Sequence, residues 1–510
     1  MPLRRWLEQA RPLPGAPAQA LLRVRREDWP AVTQAVAAAG GRLLALWTTP
    51  AAGGREAVVR AAFMADASAG VVELGVPPGL SYPGLQDLFP PAARMQRAAF
   101  DLTGVRSTDA DERPWLRHAH WSVDAPPLGP RAPLETAGPD AYEFVPVAGD
   151  GVHEIAVGPV HAGIIEPGHF RFSVVGEKVL KLEERLGYVH KGIERRFTEL
   201  PILGAHRLAA RVSGDSAVAF SWAYCQALEG ASGVAIPPRA AWLRALYLEI
   251  ERAANHLGDL GALGNDAGFA FGLAQFGRLK EELLRTTAAV FGGARYLLDA
   301  VVPGGAAFDL DRAGAVALRE RAGAVAVAAA SLRDIYDNHA GVRDRFVGAG
   351  RVEPALAARL GLLGLAGRAS GQPFDARVDR PTAPYDELAP RKVVHVDGDV
   401  AARVAARFDE LAESCRLIAA LADDLPSGGI RAEVAAPAAG TFAAALVEGW
   451  RGPCFVALEA GEGGTIARCH PHDVSWQNWP VLEHAIVGNI VPDFPLINKS
   501  FNLSYSGHDL

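Results

Sequence analysis

The spacing of apolar positions divides the chain into an N-terminal part of short segments and a C-terminal part of long helical stripes. Up to about residue 105, period-two alternation indicates strands and period-3.6 stripes indicate helices. The predicted strands are 20–24, 42–47, 56–65 and 70–76, and the predicted helices are 27–39 and 91–100. This order predicts a small α+β unit in which helices cover a sheet.

The C-terminal part begins with two alternating segments, 154–160 and 169–175, which predict a strand pair joined by a glycine-rich loop. Long apolar stripes come after them. They predict helices at 239–261, 272–291, 312–338, 353–362 and 401–424. Helices of this length with one apolar face are typical of a bundle. The fold class predicted for the whole chain is therefore α+β.

Composition separates these two parts. Six prolines lie between Pro126 and Pro146, which indicates a semi-extended linker. The predicted organisation is a domain over 1–120, a Pro-rich linker over 121–150 and a large domain over 151–510.

Charge and cysteine content exclude several classes of protein. The net charge is -7 and basic residues are scattered, so no nucleic-acid partner is expected. The four cysteines, Cys225, Cys415, Cys454 and Cys469, form no Cys-x-x-Cys pair, which favours a reducing compartment and core positions for these side chains. Neither a signal peptide nor a membrane-spanning run of about 20 apolar residues is recognised.

Several motifs occur in a fixed order along the chain. These are the stretch 158–222 with its Arg-Val-Ser-Gly-Asp-Ser run, the Gly-Arg-Ala-Ser-Gly loop at 367–371, the turn at 426–429 and the segment 476–510. This order resembles the large subunit shared by membrane-bound [NiFe] hydrogenases and the complex I 49 kDa subunit. Residues 100–106 and 112–118 resemble the complex I 30 kDa subunit, fused in front as in formate-hydrogenlyase-type proteins.

The resemblance implies a small ferredoxin-like N-terminal domain, then a mainly helical large-subunit domain with a β-hairpin. It implies three kinds of partner: an iron–sulfur small subunit holding a [4Fe–4S] cluster, a ferredoxin-like subunit and antiporter-like membrane subunits. Through them the chain would lie on the cytoplasmic face of the inner membrane, in a complex of the NADH-quinone oxidoreductase type.

The hydrogenases bind their Ni-Fe centre with two Cys-x-x-Cys pairs, and the matching positions here are Ser213, Ser216, Ser504 and Gly507. Thiolates are soft, charged ligands that suit nickel and iron. A serine hydroxyl is hard and keeps its proton at neutral pH, and glycine offers no ligand. The sequence therefore predicts no Ni-Fe centre, and no cofactor in this chain apart from a bound quinone.

The resemblance also implies a cavity, and five candidate site residues come with it: His161, His190, Asp215, Arg368 and Asp493. His161 lies in the predicted hairpin loop, where the complex I subunit contacts a quinone, although the partnering tyrosine of that family is absent here. The alternative is that His161 only orders its loop.

His190 either serves the partner interface or proton transfer, or caps a helix, with Lys191 and Glu194 close enough to pair. Asp215 either carries protons or forms a salt bridge. Arg368 and Asp493 form a polar chain with Glu251 and His256, or separate ion pairs. His470 and His472 flank Pro471, but two histidines without a third ligand are a weak metal signal.

Two functions remain open from the sequence. The first is an oxidoreductase subunit without Ni-Fe that passes electrons to a quinone-like or unknown acceptor and couples this to ion movement. The second is a non-catalytic structural subunit of such a complex. An open cavity lined by His161, Asp215 and Arg368 would favour the first function, whereas side chains filling it would favour the second. A true hydrogenase is contradicted by the four ligand positions.

Overall fold

A computed structural model describes residues 3–14, 19–51, 56–65, 68–118, 121–129, 142–161 and 165–510. Helices and strands both occur in the N-terminal and C-terminal parts, so the α+β class is confirmed. The stretch 130–141, at the centre of the predicted linker, lies outside the described residues, and the domain boundaries remain a prediction.

The N-terminal unit is one five-stranded sheet with helices. Its helices are α1 (Leu3–Leu7), α2 (Trp29–Ala38) and α3 (Ala92–Thr103), and its strands are β1 (Arg11–Pro12), β2 (Gln19–Val24), β3 (Arg42–Thr49), β4 (Ala57–Ala65) and β5 (Ser68–Val76). The strand order is β1-β2-β5-β4-β3, with β2 parallel to β5 and the other neighbours antiparallel. Every predicted strand and helix of this unit is present.

Local chemistry sets the ends of its helices. Pro30 stands in the first turn of α2, where a missing N–H costs nothing. Gly104 ends α3 in the left-handed region at φ 76°, a conformation that glycine adopts without strain. Trp29 and Trp47 are 0% and 1% exposed and belong to the hydrophobic core.

The large-subunit part begins with a second sheet. Strands β6 (Val152–Val157), β7 (His169–Val175) and β8 (Lys178–Arg185) pair antiparallel in that order. The predicted hairpin is confirmed, but its first strand ends at Val157 rather than residue 160. Gly158 takes a φ of 81° there, which turns the chain out of the ladder.

Helices make up most of the large-subunit part beyond this sheet. They are α4 (Ile193–Thr198), α5 (His206–Ala209), α6 (Ala217–Ser232), α7 (Pro238–Asp266), α8 (Ala270–Val290), α9 (Arg312–Asn338), α10 (Ala340–Phe346), α11 (Pro354–Arg359), α12 (Gly364–Arg368), α13 (Ala376–Asp379), α14 (Tyr385–Leu388), α15 (Val400–Asp423), α16 (Ser475–Ala485) and α17 (Phe494–Phe501). Helices α7, α8, α9 and α15 pack together as the predicted bundle. Asp311 and Asp399 cap α9 and α15 by accepting backbone N–H groups.

Strands β1 and β8 were not predicted from the sequence, and neither were the five remaining strands of the described residues. Strands β9 (Val301–Val302) and β10 (Gly305–Ala306) form a short ladder, while β11 (Phe442–Glu448), β12 (Pro453–Ala460) and β13 (Ile466–Asp473) form an antiparallel sheet. The strands of this larger sheet are buried along most of their length. Its β11–β12 turn carries Trp450 and Arg451 towards the start of α6.

The two parts of the chain share one interface. Arg468 of β13 donates a 3.0 Å hydrogen bond to the Thr48 carbonyl of β3, and the Trp47 ring stacks on His470 at 5.1 Å. Arg94 of α3 binds Glu184 at 2.8 Å and Glu483 at 2.7 Å. Since these contacts are mostly buried, the N-terminal unit is packed firmly on the C-terminal part of the chain. No helix of the described residues has the length and apolarity to cross a bilayer.

Candidate functional site

The last nine residues connect the elements around the site. Helix α17 ends at Phe501, and the segment after it runs back into the protein interior. Ser504 Oγ lies 2.8 Å from Ser213 Oγ and accepts a 2.8 Å hydrogen bond from the Gly507 amide. Ser213 and Ser504 are 2% and 4% exposed. Three of the four positions that match the hydrogenase metal ligands are therefore in contact with one another.

The fourth position, Ser216, stands directly before α6 and is buried. Its amide donates to the Ser213 carbonyl at 3.1 Å, which closes the turn that brings Ser213 towards Ser504. Helix α6 starts at this point because Glu251 of α7 accepts the amides of Val218 and Ala219 at 2.7 and 3.2 Å.

Asp215 lies between these positions and forms an ion pair. Its carboxylate binds Arg451 Nη2 at 2.6 Å and accepts the Ser213 hydroxyl at 2.7 Å. The Asp215 carbonyl also accepts the Trp450 indole N–H at 2.8 Å. The Asp215 side chain is still 37% exposed, so this carboxylate borders solvent. We call Ser213, Asp215, Arg451, Ser504 and Gly507 the serine–aspartate cluster.

The charges in this region act on one another. Burial raises the pKa of the Asp215 carboxyl, but Arg451 and the Ser213 hydroxyl outweigh that effect and the pKa is lowered overall. Glu251 lacks such a partner, and burial raises its pKa to about 8, with a further contribution from the Asp215 charge. These pKa shifts favour an ionised Asp215 and a protonated Glu251 at neutral pH.

Comparison with known proteins decides the family. Over 84% of this chain and 77% of the relative, it is 31% identical to formate hydrogenlyase subunit 5 of Escherichia coli. It is 31% identical to the carbon monoxide-induced hydrogenase of Rhodospirillum rubrum over 69% of this chain and 97% of that protein. The chain belongs to the hydrogenase/complex I large-subunit family.

Two further comparisons agree with this family. Residues 266–441 match the family described as "Respiratory-chain NADH dehydrogenase, 49 Kd subunit". An archaeal membrane-bound sulfane sulfur reductase shares the fold, with a TM-score of 0.67 and 24% identity over 71% of this chain and 99% of that chain. The resemblance inferred from the motifs is confirmed.

The Ni-Fe centre of the family does not fit the donor set at this site. Serine hydroxyls from Ser213 and Ser504 are hydrogen-bonded directly to each other, and Gly507 contributes an amide N–H but no ligand atom. A Cβ at position 507 would lie 2.9 Å from both Asp473 Oδ2 and Ser504 Oγ, so a side chain has no room there. Neutral hydroxyls cannot replace the charged thiolates that hold nickel.

His161 turns back onto its own loop. Its Nε2 lies 2.8 Å from the Gly168 carbonyl, and Gly168 packs so closely on Tyr505 that a Cβ would lie 2.6 Å from that ring. Glu166 accepts the Ser506 amide at 3.3 Å. The hairpin loop therefore reaches the residues just after Ser504, although residues 162–164 lie outside the described part. This geometry agrees with a loop-ordering role and leaves the quinone contact a prediction.

His190 is tied to the same C-terminal segment. Its Nδ1 lies 2.8 Å from the Asp509 carbonyl, and Asp509 also accepts the Val189 amide at 3.1 Å. The suggested Lys191–Glu194 pair is wrong. Lys191 donates to backbone carbonyls at 211 and 212, whereas Glu194 turns inward to Arg468 at 2.9 Å because α4 begins only at Ile193.

Arg368 lies elsewhere in the interior. It is fully buried and binds Glu410 through Nε at 2.8 Å and Glu448 through Nη1 at 2.7 Å. Glu410 lies 3.4 Å from His256, so this half of the predicted polar chain exists. The other half is wrong, since Asp493 pairs with Arg345 at 3.2 Å and Glu251 caps α6 instead.

His470 and His472 do not form a metal pair. His470 is hydrogen-bonded to Glu194, and His472 Nε2 lies 3.2 Å from the Gln477 amide oxygen. Among the residues that the structure describes, no group of three or more His, Cys, Asp or Glu side chains could hold a metal ion.

Sequence reasoning missed Arg451, which neutralises Asp215. The signal was the Gly-Trp-Arg-Gly run between two apolar segments, which is typical of a hairpin turn. Without a predicted β11–β12 hairpin, nothing placed this turn beside Ser213.

Proposed function

We propose that this chain is the large subunit of a membrane-associated, complex I-like oxidoreductase that works without a Ni-Fe centre. In it, the serine–aspartate cluster takes the place of the metal, and electrons from a partner subunit reach a quinone-like acceptor at this site. The transfer is coupled to ion movement. The family of the chain and the Asp215–Arg451 pair at the former metal position support this proposal.

The observation that carries the proposal is the partly exposed Asp215 carboxylate, held at 2.6 Å by Arg451. An acceptor that gains electrons at this place also takes up protons, and Glu251 is a neighbouring carboxyl that still holds one at neutral pH. A change in the charge of the acceptor alters the electrostatic interactions among Asp215, Arg451 and Glu251. Neighbouring subunits that differ in affinity for the two charge states can then respond.

The names of the relatives support partner subunits in a membrane complex. Membrane-bound hydrogenases and complex I-like proteins are among them, including the membrane-bound hydrogenase subunit alpha of Pyrococcus furiosus, 27% identical over 54% of this chain. We propose an iron–sulfur small subunit with a [4Fe–4S] cluster, a ferredoxin-like subunit and antiporter-like membrane subunits. The chain would attach through them to the cytoplasmic face of the membrane.

The test is acceptor reduction by the complex purified with its partners. Asp215→Asn removes the carboxylate charge but keeps the shape, so reduction of a soluble quinone should fall at least tenfold. Asp299→Asn is the matched control, because Asp299 also pairs with an arginine, Arg211, at 2.8 Å and its side chain is 35% exposed. Equal activity of the Asp215→Asn complex and the control would contradict the proposal.

One observation favours the alternative, a structural subunit without redox chemistry. The Ser213–Ser504 contact and the crowding at Gly507 close the former ligand positions with the protein's own atoms. Three results together would support this alternative. The Asp215→Asn complex assembles normally, the wild-type complex reduces no quinone, and a solvent extract of the wild-type complex contains none.

A further inference from the structure

A second set of charged side chains, separate from the serine–aspartate cluster, is buried in the interior, and each of them is at most 3% exposed. We call it the buried arginine network. Its members are Arg252, Arg368, Arg377, Glu249, Glu410, Glu448 and Asp375. The ion pairs that join them are Arg368–Glu448 at 2.7 Å, Arg368–Glu410 at 2.6 Å, Arg252–Glu410 at 2.5 Å, Arg252–Glu249 at 3.6 Å, Arg377–Glu249 at 3.1 Å and Arg377–Asp375 at 2.8 Å.

The charges of this network do not balance. Three guanidinium groups face four carboxyl groups, and arginine does not lose its proton in proteins. His256 does not supply the missing positive charge, since burial lowers the pKa of its imidazole. Two further arginines, Arg407 and Arg416, are already paired with Asp259 at 2.9 Å and Glu413 at 2.6 Å. An unpaired buried charge costs several kcal/mol or more, so such a group takes up a proton instead.

The hydrogen bonds show which carboxyl is the least compensated. Glu410 accepts from two guanidiniums, and Asp375 forms a close pair with Arg377. Glu249 accepts from Arg377 and from the hydroxyls of Tyr385 and Ser414 at 2.7 and 2.6 Å.

Glu448 shares its one guanidinium, that of Arg368, with Glu410. Among the described residues, the hydrogen bond to its other oxygen comes from the Ala376 amide, at 3.1 Å. The geometry points to Glu448 as a buried proton store that is protonated at neutral pH.

The groups around Glu448 agree with this assignment. Arg368 and Arg252 favour its charged form, whereas the Asp375 charge and complete burial oppose it, and burial is the largest effect, so the pKa of Glu448 is raised. The Cys454 thiol at the start of β12 also faces Glu448, and its own pKa is raised well above the ordinary value, so it stays neutral.

The position of Glu448 determines which charged groups are affected when it gains or loses its proton. Glu448 stands three residues before Arg451, on the turn that carries the partner of Asp215. Arg252 comes directly after Glu251 in α7 and donates to the carbonyls of Glu448 and Gly449 at 3.2 and 2.5 Å. A proton leaving Glu448 therefore adds a negative charge next to Arg252, between the Glu251 segment of α7 and the turn that carries Arg451. This inference concerns the resting protonation state and does not depend on the proposed function.

Two conservative variants test it in the complex purified with its partners. Glu448→Gln replaces a neutral acid with a neutral amide of the same shape and removes the cost of taking up a proton on folding, so the melting temperature at neutral pH should be at least as high as that of wild type. Glu410→Gln removes a charge faced by two guanidiniums, so it should lower the melting temperature. A melting temperature for Glu448→Gln as low as that for Glu410→Gln would overturn the proposal.

Infrared spectroscopy supplies an independent readout. A protonated carboxyl has a C=O stretching band that a carboxylate lacks. Since burial also raises the pKa of other carboxyls, Glu251 and Glu184 among them, the spectrum of Glu448→Gln is subtracted from that of wild type. A protonated-carboxyl band in this difference would support the proton store, and its absence would overturn the proposal.

Discussion

The hydroxyl groups of Ser213 and Ser504 are joined by a 2.8 Å hydrogen bond, although 291 residues separate them in the chain. These are two of the four positions at which the hydrogenases of this family place thiolates. The contact preserves the spatial meeting of the two motifs while replacing charged sulfur ligands with neutral oxygen atoms. Asp215 and Arg451 add an ion pair at the same place.

Gly507 should tolerate no side chain. A Cβ there would lie 2.9 Å from Asp473 Oδ2 and from Ser504 Oγ, and 3.0 Å from Asp473 Cβ. We expect Gly507→Ala to lower the free energy of unfolding by about 1–3 kcal/mol, the usual cost of overpacking. The control is Gly214→Ala, because a Cβ at position 214 meets no atom within 4 Å. Chemical denaturation measures both variants, and equal stability would contradict the crowding.

We expect the Asp215–Arg451 ion pair to stabilise the folded chain, and we expect this stabilisation to be lost in acid. Its pKa is lowered in the folded chain, so the stabilisation is present above the pKa of an unfolded carboxyl, about 3.9, and is lost as pH falls through the folded pKa. Because the side chain is 37% exposed, we expect no more than about 1 kcal/mol. Thermal melts of wild type and Asp215→Asn should differ near neutral pH and converge below about pH 4. Curves that stay parallel would contradict the ion pair.

We expect the contribution of Glu251 to stability to change with pH in the opposite direction to that of Asp215. Its pKa is raised to about 8 in the folded chain, so its contribution is present below the unfolded value and lost as pH rises through about 8. Wild type should therefore lose stability relative to Glu251→Gln between about pH 4.3 and pH 8. The glutamine oxygen can still accept an α6 amide, so the helix should form. Melting temperatures over this range decide the matter, and a constant difference would show that Glu251 is ionised.

Glu194 should be one of the costliest charges to remove. Burial raises its pKa, but Arg468 and His470 outweigh burial and lower it to about 2. Glu194→Gln leaves the buried Arg468 without its counter-charge, beside the Thr48 carbonyl of the N-terminal unit.

We expect Glu194→Gln to lower the free energy of unfolding by about 3–5 kcal/mol, the cost of breaking a buried ion pair. Glu199→Gln breaks two surface pairs, with Arg195 at 3.4 Å and Arg196 at 3.7 Å, and should cost no more than about 1 kcal/mol. Chemical denaturation compares the two variants. A similar small effect of both would show that the interface does not depend on the Glu194–Arg468 pair.

Local patterns were enough to predict most of the fold. The helix over Arg312–Asn338 was predicted with its observed bounds because its apolar stripe persists for the whole length. The sheet formed by β11, β12 and β13 was missed for a physical reason. Phe442–Glu448 is buried along most of its length and rich in alanine, so no alternation of polar and apolar positions marks it as a strand.

The candidate site was predicted only in part. Motif order located Ser213, Ser216, Ser504 and Gly507, and the structure brings three of them into contact. The partner of Asp215 could not be predicted, since Arg451 is 236 residues away and reaches it only through the missed hairpin. Burial of Arg368 and the outward pairing of Asp493 also depend on tertiary packing, which no local pattern records.

Nickel content tests the central claim most directly. The complex is purified with its partners from cells supplied with nickel, and the metal is determined by mass spectrometry against the protein amount. Formate hydrogenlyase from Escherichia coli, prepared in the same way, is the positive control. The account predicts no nickel above background, because hydroxyls and a glycine cannot replace thiolates. Nickel at about one atom per chain would contradict it.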